Sequence, residues 1–177
     1  MAIGTLTISP SRTRADYDAA STLLFAYAKS LPINLEYQNF SAEISDLPGA
    51  YAPPTGELLL ARSSGGATVG CVAVRPLAQA GVCEMKRLYV SPSARGSGAG
   101  RLLVARLIEV ARTIGYREMR LDTLSTMTAA RAMYDSLGFT EIDPYYYSPA
   151  EGTAFLSLVW ESSRAASQSL ALDRRSQ

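Results

Sequence analysis

The sequence predicts an α/β fold built on a sheet of mixed strand direction, and three observations carry that reading. Apolar residues recur with period 2 in some segments and near 3.6 in others, in the order β, α, α, three strands, α, β, α, two strands. The stretch from Cys83 to Thr123 reads strand, glycine loop, helix, strand, which closes only as a right-handed crossover between parallel strands. The chain has 177 residues, 47% of them hydrophobic, which is enough for one compact core.

Each element has a local cause. Thr5 to Ser9 reads as the first strand, and a helix from about Ala15 to Ser30 places Leu23, Leu24, Tyr27 and Leu31 at helical spacing before Pro32 ends it. Phe40 to Leu47 reads as a short second helix with Ser41 as its cap and Glu43 in its first turn, broken by Pro48-Gly49. Glu57 to Arg62 and Thr68 to Arg75 read as strands joined by Ser63-Ser64-Gly65-Gly66, a hairpin composition, and Pro76 stops the second. The strand Cys83 to Val90 runs through Ser91-Pro92 into Arg95-Gly96-Ser97-Gly98-Ala99-Gly100. The clearest helix follows, with Leu103, Leu107, Val110 and Ile114 at i, i+4, i+7 and i+11 and Gly115 as its C-cap. Met119, Leu121 and Thr123 then alternate with Arg120 and Asp122 as in a strand, and Ala130, Met133, Tyr134 and Leu137 form a short amphipathic helix ended by Gly138. Phe139 to Asp143 and Thr153 to Trp160 are the last strands, separated by a loop carrying Tyr145, Tyr146 and Tyr147. Residues 1–160 read as one domain and 161–177, rich in Ser, Arg and Gln, as a polar C-terminal tail.

Composition removes several functions. Seventeen basic against sixteen acidic side chains leave a net charge of +1, so no general electrostatic field points to nucleic acid. No apolar run approaches the roughly 20 residues of a membrane span, and Met1-Ala2-Ile3-Gly4 lacks the pattern of a signal peptide; the expectation is a soluble, cytoplasmic protein. Cys71 and Cys83 are too few for a disulfide framework or a four-cysteine zinc site. With no histidine, the Ser-His-Asp and Cys-His triads and His-ligated metal sites are excluded. Any acid or base is Asp, Glu, Tyr, Lys or Cys.

A glycine run between a strand and a helix brings backbone N–H groups and a helix N-terminus to one ligand, a combination that favours phosphate. It is not a Walker loop, because no Gly-Lys-Ser/Thr closes it, nor the dinucleotide fingerprint, because Gly100 comes one position too early. Arg95-Gly96-Ser97-Gly98-Ala99-Gly100 has the form R-x-x-G-x-G/A and follows Lys86-Arg87-Leu88-Tyr89-Val90-Ser91-Pro92. Further on, Ala132-Met133-Tyr134-Asp135-Ser136-Leu137-Gly138-Phe139 places a tyrosine on a helix that ends in an LGF turn. Together these motifs resemble the GCN5-related N-acetyltransferase (GNAT) superfamily over nearly the whole chain, from about Thr5 to Trp160.

The resemblance implies a mostly antiparallel central sheet with a β-α-β acyl-CoA-binding core and a splay between the two central parallel strands. It implies acetyl-CoA as acyl donor, its pyrophosphate on the backbone of Arg95, Gly96, Ser97, Gly98, Ala99 and Gly100, with Arg95 and Arg101 near its phosphates. Its pantetheine would lie beside Leu88, Tyr89 and Val90, and a bulge near Met85 to Arg87 would open the splay. Tyr134 matches the tyrosine that donates a proton to the departing thiolate, while Met127 stands where many relatives carry Asn. A backbone N–H of Leu88 or Tyr89 would polarise the thioester carbonyl. An alkyl ammonium must lose a proton before it attacks; Glu84 is the expected base, with Asp122 on the neighbouring strand as the second candidate. Cys83 reads as a structural thiol. The expected acceptor is a small or amino-acid-like primary amine in an aromatic, mildly acidic enclosure of Tyr27, Glu36, Tyr37, Phe40, Tyr51 and Tyr145 to Tyr147. A protein or peptide acceptor and a non-catalytic acyl-CoA sensor are the alternatives, in a monomer or homodimer.

Overall fold

The computed structural model describes residues 5–160; Met1 to Gly4 and the polar tail read at 161–177 lie outside the described residues. In chain order the elements are β1 (Thr7–Pro10), α1 (Arg14–Ser30), α2 (Phe40–Ser45), β2 (Glu57–Arg62), β3 (Thr68–Pro76), β4 (Val82–Val90), α3 (Ala99–Ile114), β5 (Glu118–Leu124), α4 (Thr128–Ser136), β6 (Thr140–Ile142) and β7 (Thr153–Val159). The seven strands form one sheet in the order β1-β2-β3-β4-β5-β7-β6. Every neighbouring pair is antiparallel except β4 and β5, the two strands that flank the glycine loop and α3.

Helices cover both faces. On one, Leu103, Val104, Leu107 and Ala111 of α3 and Tyr134 of α4 pack with Leu59, Val72, Val74, Met119 and Leu121 of the sheet. On the other, Ala20, Leu23 and Leu24 of α1 and Phe40 and Ile44 of α2 pack with Leu58, Leu60, Cys71, Ala73 and Tyr89. Burying the sheet on both sides explains why β4 reads as an almost unbroken buried run, while β5 alternates, with Met119, Leu121 and Thr123 inward. Thr13 and Asp16 close a capping box on α1. The cap expected at Ser41 is not formed. A turn of 3₁₀ helix at Leu35–Gln38 leads directly into α2, so Asn39, left-handed at φ 60°, takes the cap position two residues before Ser41, and the Ser41 hydroxyl donates to Glu36 instead.

One irregularity shapes the site. Across β3 and β4, Cys71 pairs with Tyr89 and Ala73 with Lys86, so Arg87 and Leu88 together face the single residue Val72. The bulge therefore sits at Arg87–Leu88, at the edge of the stretch the sequence pointed to, and Arg87 takes a left-handed φ of 61°. That backbone costs a branched-out side chain about 1–3 kcal/mol and persists only where the surroundings hold it. Here Nε and Nη2 of Arg87 grip the two Glu43 oxygens at 2.7 and 3.0 Å, Nη1 donates to Gln38, and the guanidinium lies over the Phe40 ring at 5.1 Å. Burial works against the Glu43 charge, yet Arg87 and the Tyr51 hydroxyl hold its carboxyl below the ordinary value. On the other side of β4, pairing with β5 runs only from Val82 to Glu84; beyond it the two parallel strands splay apart.

Both cysteines are buried, and burial pushes their thiols from 9.0 to about 12. Because the folded values are raised, their contribution to stability is complete below about pH 9 and is lost as the pH climbs toward 12. Urea midpoints should therefore fall across that alkaline window. A thiol-specific chromogenic disulfide at pH 8 should label neither cysteine in the native protein and both in denaturant; rapid native labelling would contradict this burial.

Candidate acyl-donor cleft and acceptor pocket

The glycine loop leads from β4 into α3 by way of Gly96 at φ 78° and Gly98 at φ 84°, the latter at the helix N-cap. Among the described residues a methyl group added at either position meets no atom within 4 Å, so they leave the space before the loop open. Among the described residues the N–H groups of Gly96, Gly98, Gly100 and Arg101 donate to no carbonyl or side chain. Unpartnered amides at the start of a sixteen-residue helix fit a pyrophosphate. Ser97 differs from its neighbours: its hydroxyl donates to the Ala94 carbonyl at 2.6 Å and its backbone N–H to the same carbonyl at 3.3 Å, so this residue holds the turn. Arg101 reaches across to the Ser136 hydroxyl at 2.6 Å, tying α3 to α4.

From this loop a cleft of about 750 Å³ runs between the end of α1 and the start of α4, past Leu88, Tyr89 and Val90. Arg95, Gly96, Gly98, Ala99, Gly100 and Arg101 line it as well, so all the expected donor-binding positions except Ser97 converge here. Where β4 and β5 part, the cleft continues into a cavity of about 90 Å³ that shares Tyr27, Leu31, Leu88, Leu124, Met127 and Ala130 with it. Tyr134 and Asp122 line that inner cavity. Through Tyr37, Gln38 and Lys86 it shares lining in turn with a third space, about 280 Å³, bounded further by Arg75, Glu84 and Tyr145, Tyr146 and Tyr147. Cleft, inner cavity and outer pocket thus lie one beside the next along the splay, each sharing wall residues with its neighbour.

Tyr134 is buried against the Phe139 ring, with centroids 5.6 Å apart. Its hydroxyl bonds to no described residue and lines the cavity, and burial raises the phenol above its ordinary value. Met127 borders both cleft and cavity with a thioether whose sulfur accepts from the Thr123 hydroxyl at 3.8 Å.

Glu84 does not line the inner cavity. It lies in the outer pocket with both oxygens engaged: Oε2 takes Nε and Nη2 of Arg75 at 2.9 and 2.8 Å, and Oε1 accepts from the Tyr145 hydroxyl at 2.8 Å. Lys86 Nζ stands 3.9 Å from Glu84 Oε1 and 2.8 Å from Asp122 Oδ1, linking the two carboxylates. Burial and the Glu84 charge push the Tyr145 phenol up; burial and Asp122 do the same to Tyr146. Of the aromatic enclosure expected for an acceptor, Tyr37 and Tyr145 to Tyr147 line this pocket. Phe40 and Tyr51 belong to the core under α2, and Tyr27 borders the donor cleft. The pocket is not mildly acidic, because Arg75 and Lys86 outnumber its one carboxylate. Sequence reading missed Arg75; the available signal was its place at the end of a strand opposite Glu84, a pairing fixed by a hairpin register rather than by local pattern.

Comparison with known proteins gives the same picture. Residues 24–139 match the family model described as "Acetyltransferase (GNAT) family". A Schizosaccharomyces pombe protein named as an uncharacterized N-acetyltransferase is 39% identical over 153 residues, 86% of this chain and 94% of its own length. The structure of a putative acyl-CoA N-acyltransferase from Klebsiella pneumoniae superposes with a TM-score of 0.66 at 30% identity, covering 88% of this chain and 97% of that one. A Staphylococcus aureus acetyltransferase of the same family shares the fold, with a TM-score of 0.74 at 17% identity over 89% of this chain and all of that one. The fold agrees with these matches: the chain belongs to the GNAT family of acetyltransferases and is an acetyl-CoA-dependent N-acetyltransferase.

Proposed function

We propose that residues 1–160 form one catalytic domain that moves the acetyl group of acetyl-CoA to the primary amine of a small acceptor by direct attack within the splay. The observation that carries this reading is the adjacency of the three spaces: the cleft and the outer pocket both share walls with a cavity lined by an unpartnered tyrosine hydroxyl and a carboxylate. The thioester, when bound, supplies the activated acyl group. The free amides of Gly96, Gly98, Gly100 and Arg101 hold the pyrophosphate end, and the backbone at Leu88, released from sheet pairing by the bulge, faces the carbonyl. Tyr134 gives its phenolic proton to the sulfur as the thiolate leaves.

For the proton lost by the amine, geometry favours Asp122 over Glu84. Asp122 borders the cavity shared with Tyr134, whereas Glu84 orients Arg75 and Tyr145 outside it. The amine therefore passes its proton to Asp122, directly or through one water. Cys83, buried with its thiol donating to the Glu118 carbonyl, takes no part as an acyl carrier. The proposal takes over a cytoplasmic setting, where both buried thiols stay reduced.

The test is release of free CoA from acetyl-CoA in the presence of a panel of small amines. Asp122→Asn and Tyr134→Phe should each lower kcat by roughly 10²-fold, the usual scale for losing a positioned acid or base. Glu84→Gln should mainly raise the acceptor KM. A larger kcat loss for Glu84→Gln than for Asp122→Asn would return the base to Glu84, and no CoA release with any amine would favour a sensor of acyl-CoA.

A further inference from the structure

The outer pocket holds more cation than an amine acceptor needs. A site built only to receive an ammonium gains from unpaired carboxylates and aromatic faces, whereas each cation there repels it. Here Glu84 is already neutralised by Arg75, and Asp122 Oδ1 by Lys86. The Arg75 fork spends Nε and Nη2 on a single oxygen of Glu84, leaving Nη1 with no partner among the described residues. Its side chain is 34% exposed, in the wall of the pocket. Planar guanidinium edges match carboxylate geometry, and Lys86 adds a second positive charge between this edge and the inner cavity.

From these residues we infer that the acceptor carries a carboxylate at the end remote from its amine, and that Arg75 is the residue that selects it. The inference rests on the proposed acetyl transfer and narrows its substrate class from small amines to amino carboxylates. The charged groups lie in sequence from the outer pocket to the inner cavity. Arg75 contacts Glu84, Glu84 Oε1 stands 3.9 Å from Lys86, and Lys86 contacts Asp122 at the cavity where the amine must react. An acceptor lying along that row sets its carboxylate on Arg75 Nη1 and its amine at Asp122, with its body among Tyr37, Tyr145 and Tyr146. A volume of about 280 Å³ suits a molecule of amino-acid to short-peptide size. A diamine of equal length would bring a second cation against Arg75 and Lys86, and a plain alkylamine would leave the Nη1 edge without a partner.

The experiment measures kcat/KM for CoA release with the full-length protein and matched acceptors: an α- and ω-amino-acid series, the n-alkylamines lacking the carboxylate, and the corresponding diamines. The expected result is that the carboxylate member of at least one matched pair is favoured by about 10-fold or more, the difference lying mostly in KM, with diamines poorest. Arg75→Lys keeps a positive charge for Glu84 but removes the planar edge, and it should shrink that ratio several-fold through KM of the carboxylate acceptor. Equal or better turnover of alkylamines or diamines would overturn the inference while leaving acetyl transfer standing. An unchanged ratio in Arg75→Lys would remove Arg75 from the selection. Absence of turnover with every acceptor, in a protein that binds acetyl-CoA, would overturn the transfer reading and this inference with it.

Discussion

Gly98→Glu should abolish acetyl-CoA binding while the protein stays folded. The position is left-handed at φ 84°, so any L-residue there carries strain on the order of 1–2 kcal/mol, a tolerable loss for a folded domain. Nothing lies within 4 Å of the added Cβ, so the glutamate extends into the open cradle and places a carboxylate where the pyrophosphate must sit. Gly98→Asn separates the two effects. Asparagine tolerates the left-handed region and carries no charge, so this variant should retain measurable binding where the glutamate shows none. Titration calorimetry with acetyl-CoA, alongside circular dichroism of both variants, decides the matter. Wild-type affinity in Gly98→Glu would remove the loop from the donor site.

The largest expected effect on stability comes from Arg87→Ala. Arg87 and Glu43 are a buried pair, with side chains 3% and 15% exposed, and removing one partner leaves an uncompensated charge. Such losses run to about 3–5 kcal/mol. Alanine would also occupy the left-handed bulge position without the anchor that holds it there. The deficit should depend on pH in a definite sense. Glu43 is held below its ordinary value of 4.5 in the wild type, so its stabilisation is present above that value and is lost as the pH falls below it. The gap between wild type and variant in urea should thus narrow on acidification. A deficit under about 1 kcal/mol at pH 7 would show that the bulge is held by packing alone. Since the bulge also frees the backbone at Leu88, the variant should lose activity beyond what its unfolded fraction explains.

The parts of this molecule legible in the sequence are those written in local pattern. The alternation of Met119, Leu121 and Thr123, the apolar stripe of α3 with Gly115 behind it, and the glycine loop all rest on residues within a turn or two of one another. The same holds for the placement of Tyr134 on α4. What escaped depends on register between distant segments. A bulge near Met85 to Arg87 was implied by the family resemblance, but its place at Arg87–Leu88 is a property of β4 measured against β3, and the partners of Arg87 lie in α2 and the turn before it, more than forty residues away. Glu84 shows the difference plainly. The sequence offers it as a carboxylate on a central strand, the expected base; only the β3–β4 pairing puts Arg75 beside it, and only the loop before β7 brings the Tyr145 hydroxyl to its other oxygen. The Ser41 cap failed for a smaller version of the same reason, a preceding turn that puts Asn39 at the cap position and Ser41 inside the helix.

The break between β4 and β5 has a kinetic consequence as well as a chemical one. Among the described residues the proposed donor cleft and acceptor pocket have no lining residue in common and adjoin only through the small cavity between them. Under the proposed transfer each ligand would exchange with solvent through its own mouth while the other stays in place. Under the proposed transfer, initial-rate plots varied in both substrates should intersect rather than run parallel. Neither product should need to wait for the other to depart, so the order of association and release is left to concentration rather than imposed by the architecture.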